Sequence, residues 1–298
     1  MIQNIAPGVF VETAHLGSNN AIVSTSDGVV LVDAPHKPTD AVAWRATAEN
    51  LGAVKYLIHT DHHIDHTMGN YFLPGLVIGQ DRTRDGLVNH FPDPGYIDDL
   101  IRIIDPEGVP LMEGHKPRLP DITFSDEMEL YVGATRLRLI SLSGHTPNTI
   151  GILLPDEGIF FSGDNVCVAS LPSFQEAHID EWLRTLDRIS ELNFDVLVPG
   201  HGDLTDKAFV ATFKAQMQEV IGRVGEARSA GSSREAAAEA IRYEDNIHGS
   251  TKDWSVGYPD DILEMLQVRS IRQIYDQIEA GTLLLPAQQS PESVGASG

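Results

Sequence analysis

Six side chains able to bind a metal ion lie within residues 59–66, whose sequence is His-Thr-Asp-His-His-Ile-Asp-His. Imidazole and carboxylate groups are costly to bury without partners, so this density of them needs a physical reason. They are the ligand types that zinc, iron and manganese prefer. The apolar residues 54–58 predict a buried strand, which places the group at a strand's carboxyl end, where open α/β sheets usually carry their chemistry.

Three further His or Asp residues follow predicted strands, each of them beside a glycine. They are His145 in Ser-Gly-His-Thr-Pro, Asp164 in Ser-Gly-Asp and His201 in Pro-Gly-His-Gly. Glycine allows the backbone to turn sharply and to approach other groups closely, so that the neighbouring side chain points out of the strand end. Together with residues 59–66, these turns predict one metal site assembled from four separate segments.

This pattern resembles the metallo-β-lactamase-fold hydrolases, whose signature is His-x-His-x-Asp-His followed by a later His, an Asp and a final His. The resemblance covers about residues 19–202, and the helical C-terminal part is similar to extensions in some glyoxalase-II-like members. It implies ligands for two divalent metal ions: His63 and His145 for the first, Asp65, His66 and His201 for the second, and Asp164 bridging both. Zinc is the first expectation for these ions, with iron and manganese as alternatives. Asp33 matches a family acid that supports the site without touching the metal.

One position departs from the signature, because the register set by Asp65 and His66 puts Asp61 where the family has its first histidine. Three outcomes are open. Asp61 binds the first ion directly, which replaces a neutral nitrogen with a charged oxygen and favours harder ions such as iron or manganese. Alternatively the first site is weak or empty, or His59 or His62 substitutes for the missing ligand. Residues 59, 61, 63 and 65 alternate, so an extended backbone would place them on one side, which favours Asp61 as a ligand.

The elements around these residues predict an α/β or α+β sandwich. Two runs of short strands are each followed by helical segments, and strands that change direction favour mixed sheets. The resemblance implies a four-layer αβ/βα sandwich of two mixed sheets flanked by helices. We expect this domain over residues 1–204, a helical C-terminal extension packed on it over 205–286, and a disordered tail over 287–298. Residues 80–120 are interpreted either as a lid over the site or as an ordinary insertion that packs on the domain.

The composition restricts the partners and the compartment. The chain has 298 residues, a formal net charge of -22 and a single cysteine, Cys167. So acidic a surface repels phosphate backbones and disfavours nucleic acids and anionic membranes as partners. One cysteine excludes an internal disulfide, and residues 1–7 lack the pattern of a signal peptide, so we expect a cytoplasmic protein. An apolar stripe in residues 262–280 indicates either core packing or a homodimer face.

The implied chemistry is hydrolysis by metal-activated water, with Asp65 orienting the attacking group and carrying its proton. We expect the substrate to be an ester, lactone, thioester or amide of a small metabolite. The sequence contains no Gly-x-Ser-x-Gly elbow that would indicate a serine nucleophile instead. Two alternatives stay open: a mononuclear-iron sulfur dioxygenase-like enzyme, and a non-catalytic ligand-binding protein on the same fold.

Overall fold

Two mixed β-sheets, packed face to face and flanked by helices, carry the fold. The computed structural model describes residues 2–168, 173–242 and 257–285. Within these residues one sheet has seven strands and the other has five. The four-layer αβ/βα sandwich expected from the sequence is thereby confirmed.

The first sheet arranges its strands in chain order. They are β1 (Gln3–Ala6), β2 (Val9–Glu12), β3 (Asn20–Thr25), β4 (Gly28–Val32), β5 (Val54–Ile58), β6 (Leu76–Gln80) and β7 (Ile122–Phe124). β1 to β4 pair antiparallel through short turns, whereas β4 to β7 pair parallel. Parallel neighbours need a crossover connection, and α1 (Pro38–Leu51) provides it between β4 and β5, whereas the short helix α2 (Ile64–Thr67) follows β5.

The second sheet has the spatial order β12-β11-β10-β9-β8. Its strands are β8 (Glu127–Val132), β9 (Thr135–Ser141), β10 (Ile150–Leu154), β11 (Ile159–Phe161) and β12 (Val196–Val198). Among the strands that the structure describes here, only the β11–β12 pair is parallel, and α5 (Ile179–Glu191) lies between these two in the chain. The sheet is therefore mixed, like the first one.

Apolar side chains bury both faces of each sheet. Val30 and Ile58 of the first sheet share the central core with Leu139 of the second. On the outer faces, Trp44 of α1 packs against the first sheet, and Trp182 of α5 packs against the second. Strands buried on both faces read as continuous apolar runs, which explains why β4 and β10 show no polar alternation.

The C-terminal helices pack on the outer layer of the second sheet. They are α6 (Phe209–Ser229), α7 (Arg234–Ala240) and α8 (Asp260–Glu279). Ile271 and Ile274 of α8 are fully buried in the apolar cluster that contains Trp182, so this part of the apolar stripe is core. No helix among the described residues combines the length and the apolar character needed to cross a bilayer. The homodimer and the domain boundaries remain predictions, and the tail predicted over 287–298 lies outside the described residues.

The segment of residues 80–120 packs against the first sheet and contains α3 (Asp81–Asn89) and α4 (Pro94–Ile104). Leu100 and Ile101 of α4 are buried against Met68. The carboxylate of Asp105 accepts hydrogen bonds from Thr39, at 2.9 Å from both the backbone N and Oγ1. The segment is thus anchored to α1, and whether it also acts as a lid remains a prediction.

Candidate metal centre

The seven predicted ligands follow the carboxyl ends of β5, β9, β11 and β12, with Asp65 and His66 on the short helix α2, and the structure brings them together at one edge of the sandwich. They form two groups, and within each group the ligand atoms lie within 4.8 Å of one another. The first group contains Asp65, His66, Asp164 and His201, and the second contains Asp61, His63 and His145. The convergence of four distant segments is the arrangement that a metal site requires.

The first group is built around the carboxylate of Asp164. Nε2 of His201 lies 3.2 Å from Asp164 Oδ2 and 3.1 Å from Asp65 Oδ2. Nε2 of His66 lies 3.2 Å from Asp164 Oδ1, yet both atoms are buried and neither makes a hydrogen bond to any described residue. Unsatisfied buried polar atoms cost about 1–3 kcal/mol each, so their convergence fits a site for a cation.

The second group contains the residue that departs from the family signature. Nδ1 of His63 lies 3.1 Å from Nε2 of His145, and Asp61 Oδ2 lies 3.6 Å and 3.8 Å from these two nitrogens. Asp61 Oδ1 accepts a hydrogen bond from the backbone N of His63 at 2.9 Å, whereas Oδ2 is buried without a hydrogen-bond partner among the described residues. This geometry supports direct binding by Asp61, the first of the three alternatives.

His59 lies outside both groups. Its Nδ1 is 3.7 Å from Asp33 Oδ1, and its Nε2 accepts from the side-chain amide of Asn70 at 3.1 Å. These contacts hold the ring on the far side of Asp33, so His59 is not placed to substitute for the missing ligand. His62 is buried and lines the cavity, and its ring forms a third possible group with His63 and Glu176, whose ligand atoms also lie within 4.8 Å of one another, so substitution by His62 stays open.

Asp164 lies between the two groups, and the close approach of the neighbouring turn requires glycine at position 200. Its Oδ2 is also 3.5 Å from Nε2 of His145 in the second group. A Cβ atom at Gly200 would lie 1.9 Å from Asp164 Oδ1 and 2.8 Å from the Asp164 backbone N. Only glycine therefore allows the Pro-Gly-His turn to approach the carboxylate that is shared by both groups.

Asp33 orients His66 through Nδ1, the ring nitrogen that does not face Asp164. Oδ2 of Asp33 accepts from Nδ1 of His66 at 2.9 Å, and the same carboxylate accepts from Thr60 N at 2.8 Å and Thr60 Oγ1 at 2.6 Å. The backbone of Asp33 is left-handed, with φ 55°. This conformation is unfavourable for a non-glycine residue, and strain of this kind concentrates at functional sites.

Two other histidines are oriented in the same way by backbone carbonyls. Nδ1 of His145 donates to the carbonyl of Ser173 at 3.0 Å, and Nδ1 of His201 donates to the carbonyl of Gly17 at 2.9 Å. A carbonyl can only accept, so these bonds assign the proton to Nδ1. Nε2 of each ring is then the nitrogen that faces the carboxylates of the site, and it can bind a metal ion once it carries no proton.

His63 has the opposite orientation, and its partner was missed by the sequence analysis. Its Nδ1 points into the second group, while its Nε2 lies 3.8 Å from Glu176 Oε1. Glu176 Oε2 also lies 3.3 Å from Nε2 of His62, whose Nδ1 contacts Asn148. Glu176 follows no strand end and no glycine turn, so no local signal in the sequence indicates its role.

The charges of the site shift the pKa values of its members. Burial opposes the charged form of His201, but Asp164 and Asp65 raise its pKa to about 10. Burial likewise opposes charge on His63, but Asp61 and Glu176 raise its pKa to about 9. Burial would raise the pKa of Asp164, but His201 and His66 hold it well below its usual range. Without a metal ion, the carboxylates therefore keep protons on these rings at neutral pH.

A cavity of about 430 Å³ leads from the surface to the ligands and is lined by His63, Asp65, His145, Asp164 and His201 at its base. His36 and Tyr258 also line it, and Nδ1 of His36 lies 2.7 Å from the Tyr258 hydroxyl. Burial lowers the pKa of His36 to about 4, so this ring is neutral at physiological pH. His36 was not among the residues predicted for the site, although it lies only three residues after Asp33.

Comparison with known proteins places the geometry in context. Residues 15–201 match the family model of the metallo-beta-lactamase superfamily. The beta-lactamase-like protein 2 homolog of Caenorhabditis elegans is 24% identical over 196 residues, which are 64% of this chain and 58% of that protein. Hydroxyacylglutathione hydrolase of Brucella anthropi is 26% identical over 168 residues, which are 55% of this chain and 54% of that protein. The chain thus matches little more than half the length of these relatives.

A solved structure extends the likeness to nearly the whole chain. The metallo-beta-lactamase family protein from Thermus thermophilus superposes with a TM-score of 0.64 and covers 93% of this chain and 95% of that one. The two sequences are 18% identical, so the likeness concerns the fold alone.

Binding of Zn²⁺ to the metal-free protein is expected to release protons. At pH 7.5 His63 and His201 hold protons, because their pKa values are raised to about 9 and about 10, and imidazole must be neutral to bind metal. These raised values stabilise the metal-free fold fully below pH 6.5, and the stabilisation is lost as the pH rises through 9 to 10. Burial also opposes charge on His66, but Asp61 and Asp164 hold its pKa well above the usual value. Calorimetry in buffers of different ionisation enthalpy should therefore count roughly two to three protons. His201→Ala should release fewer, and equal release by both proteins would contradict the assignment.

Glu176→Gln is expected to weaken metal binding by about 10- to 100-fold, the usual cost of removing a carboxylate that orients a metal-binding histidine. The change keeps the size of the side chain but removes the charge that faces Nε2 of His63. Competition with a chromogenic chelator measures the affinity. Glu191→Gln, at an exposed residue that ends α5, is the matched control and should bind metal like the unmodified protein. Equal affinity in both variants would show that Glu176 does not position His63.

Proposed function

The chain belongs to the metallo-β-lactamase superfamily, and on that premise we propose that it is a metal-dependent hydrolase that cleaves an ester, lactone, thioester or amide bond of a small metabolite. One observation carries the proposal: two groups of converging ligand atoms lie at the base of a cavity of about 430 Å³. Metabolite-binding cavities commonly have volumes of this order. The similarity to a protein named hydroxyacylglutathione hydrolase supports hydrolysis as the type of reaction.

In this proposal the two groups of side chains hold two divalent ions. Asp65, His66 and His201 would hold one ion and Asp61, His63 and His145 would hold the other, while the carboxylate of Asp164, which lies near both groups, would be available to either. Zinc remains the first expectation, but the charged oxygen of Asp61 is a harder donor than imidazole and makes iron or manganese the alternatives. A divalent ion in such a site acts as a Lewis acid towards a carbonyl oxygen and lowers the pKa of water from about 15.7 towards 7.

Asp65 is the residue that we propose to handle the proton of the attacking water. Its side chain is 20% exposed and lines the cavity, whereas the side chain of Asp164 is 9% exposed. Burial would raise the pKa of Asp65, but His66 and His201 hold it below its usual range, so the carboxylate is ionised. An ionised carboxylate in this place can accept a hydrogen bond from water, orient it and take its proton.

Two alternatives remain distinguishable from this proposal. The position of Asp61 beside His63 and His145 supports a site for two ions over a mononuclear-iron sulfur dioxygenase-like enzyme. A non-catalytic protein on the same fold would bind a ligand in the cavity without turnover. Elemental analysis of the purified protein, followed by assays with lactones, thioesters and aryl esters, separates the three functions.

His66→Ala and His201→Ala are each expected to lose bound metal and hydrolytic activity together, with activity falling at least about 100-fold. Each change removes a nitrogen that lies 3.2 Å from Asp164. Elemental analysis and turnover of an aryl ester are the two measurements. His178→Ala removes an exposed histidine and should change neither. Full metal content and full turnover in either site variant would refute the ligand assignment.

Asp61→His is expected to shift metal preference towards zinc, because it restores a neutral nitrogen donor in place of a charged oxygen. The measurement is the ratio of Zn²⁺ to Mn²⁺ bound under competition. Asp61→Asn, which keeps an oxygen donor but removes the charge, separates the effect of charge from that of donor type. An unchanged ratio in both variants would point to a weak or empty first site.

A further inference from the structure

We propose that the cavity selects uncharged substrates with an apolar acyl or alkyl group, which lies between α4 and α8 while the bond to be cleaved faces the metal ligands. This inference rests on the proposed hydrolase function and names its substrate class. It depends on the walls of the cavity, which are separate from the residues at its base.

Two helices build an apolar wall opposite the ligands. α8 contributes Ile262, Leu263 and Leu266, which lie on one side of its first turns, and α4 contributes Leu100. Leu100 is 3% exposed and packs in an apolar cluster with Met68, so this part of the wall is held in place by core packing. A wall of this kind attracts methylene groups because their burial removes apolar surface from water.

Helix α8 both lines the cavity and packs in the core. Its first turns line the cavity, whereas Ile271 and Ile274 further along are fully buried in the core beside α5 and α6. The later turns fix α8 on the domain, so the wall formed by its first turns is held in place. Preorganised apolar walls favour binding because less side-chain freedom is lost.

The charges on the walls disfavour an anionic substrate. Among the described residues that line the cavity, Arg269 is the one lysine or arginine, and it is exposed. Asp93 and Glu176 line the same cavity beyond the carboxylates of the ligand groups. A glutathione thioester carries two carboxylates, and on the described part of the lining it would meet one guanidinium to offset the cost of desolvating them. An uncharged ester or lactone meets no such cost.

The test uses the full-length, metal-loaded enzyme and four aryl esters, from acetate through butyrate and hexanoate to octanoate. We expect kcat/KM to rise about two- to fourfold for each added methylene until the cavity is filled, which is the range set by burial of one CH₂. S-lactoylglutathione should be the poorer substrate. A flat dependence on chain length, or a preference for S-lactoylglutathione over the octanoate ester, would overturn the inference while leaving the hydrolase function intact.

Substitutions test whether the apolar wall determines the preference for substrate chain length. Leu263→Asn keeps the branched shape and the number of heavy atoms of the side chain but makes the wall polar, so the slope of kcat/KM against chain length should fall. Val88→Asn changes a side chain that is 61% exposed on α3 and should leave the slope unchanged. If Leu263→Asn keeps its metal content and the full slope, the wall does not select the substrate.

Failure of the proposed function gives a different result. If the metal-loaded enzyme hydrolyses none of the esters and no glutathione thioester, the hydrolase proposal is contradicted and the substrate class falls with it. Hydrolysis of these esters at equal rates contradicts the substrate class alone.

Discussion

The constraint on which the rest of the structure depends is the convergence of four carboxylates within one small volume: Asp33, Asp61 and Asp164 are buried, and Asp65 is 20% exposed at the cavity. Carboxylates taken out of water are tolerated only when positive charge or hydrogen bonds compensate them. Here the compensation comes from histidines, whose pKa values the carboxylates raise, as they do for His63 and His201. A divalent cation would replace these protons with a more concentrated positive charge. Metal binding and protonation are therefore two ways of neutralising the same buried charge.

The architecture positions these charges with rigid elements. Strands of both sheets end at the same edge, and each ligand loop is short enough to be held by the strand before it. The histidines are further oriented through the ring nitrogen that does not face the site, by Asp33 for His66 and by the carbonyl of Gly17 for His201. The walls of the cavity come instead from α4 and from the first turns of α8. The groups that perform the chemistry and the surface that receives the substrate thus lie on different parts of the chain.

Much of the fold was predictable because its signals are local. The sandwich of two mixed sheets is confirmed, since its strands are apolar runs separated by turns with glycine. Element ends are harder to predict: the apolar periodicity of α4 begins at Ile97, but Asp93 caps the helix by accepting from Tyr96 N, and Pro94 begins it. The short strands β1 and β7 were not predicted, because three or four residues at a sheet edge leave little periodicity to detect.

The sequence by itself determined which side chains are able to bind metal, because the ligand types and the glycines beside them are local properties. Only the tertiary structure decided which atoms face one another: that Oδ2 of Asp61 faces His63 and His145, that His59 turns to Asp33 and Asn70, and that Glu176 lies beside His63. It also decided that α8, at the far end of the described chain, forms a wall of the cavity. These are contacts between residues distant in sequence, and such contacts depend on how whole elements pack, which no short stretch of residues encodes.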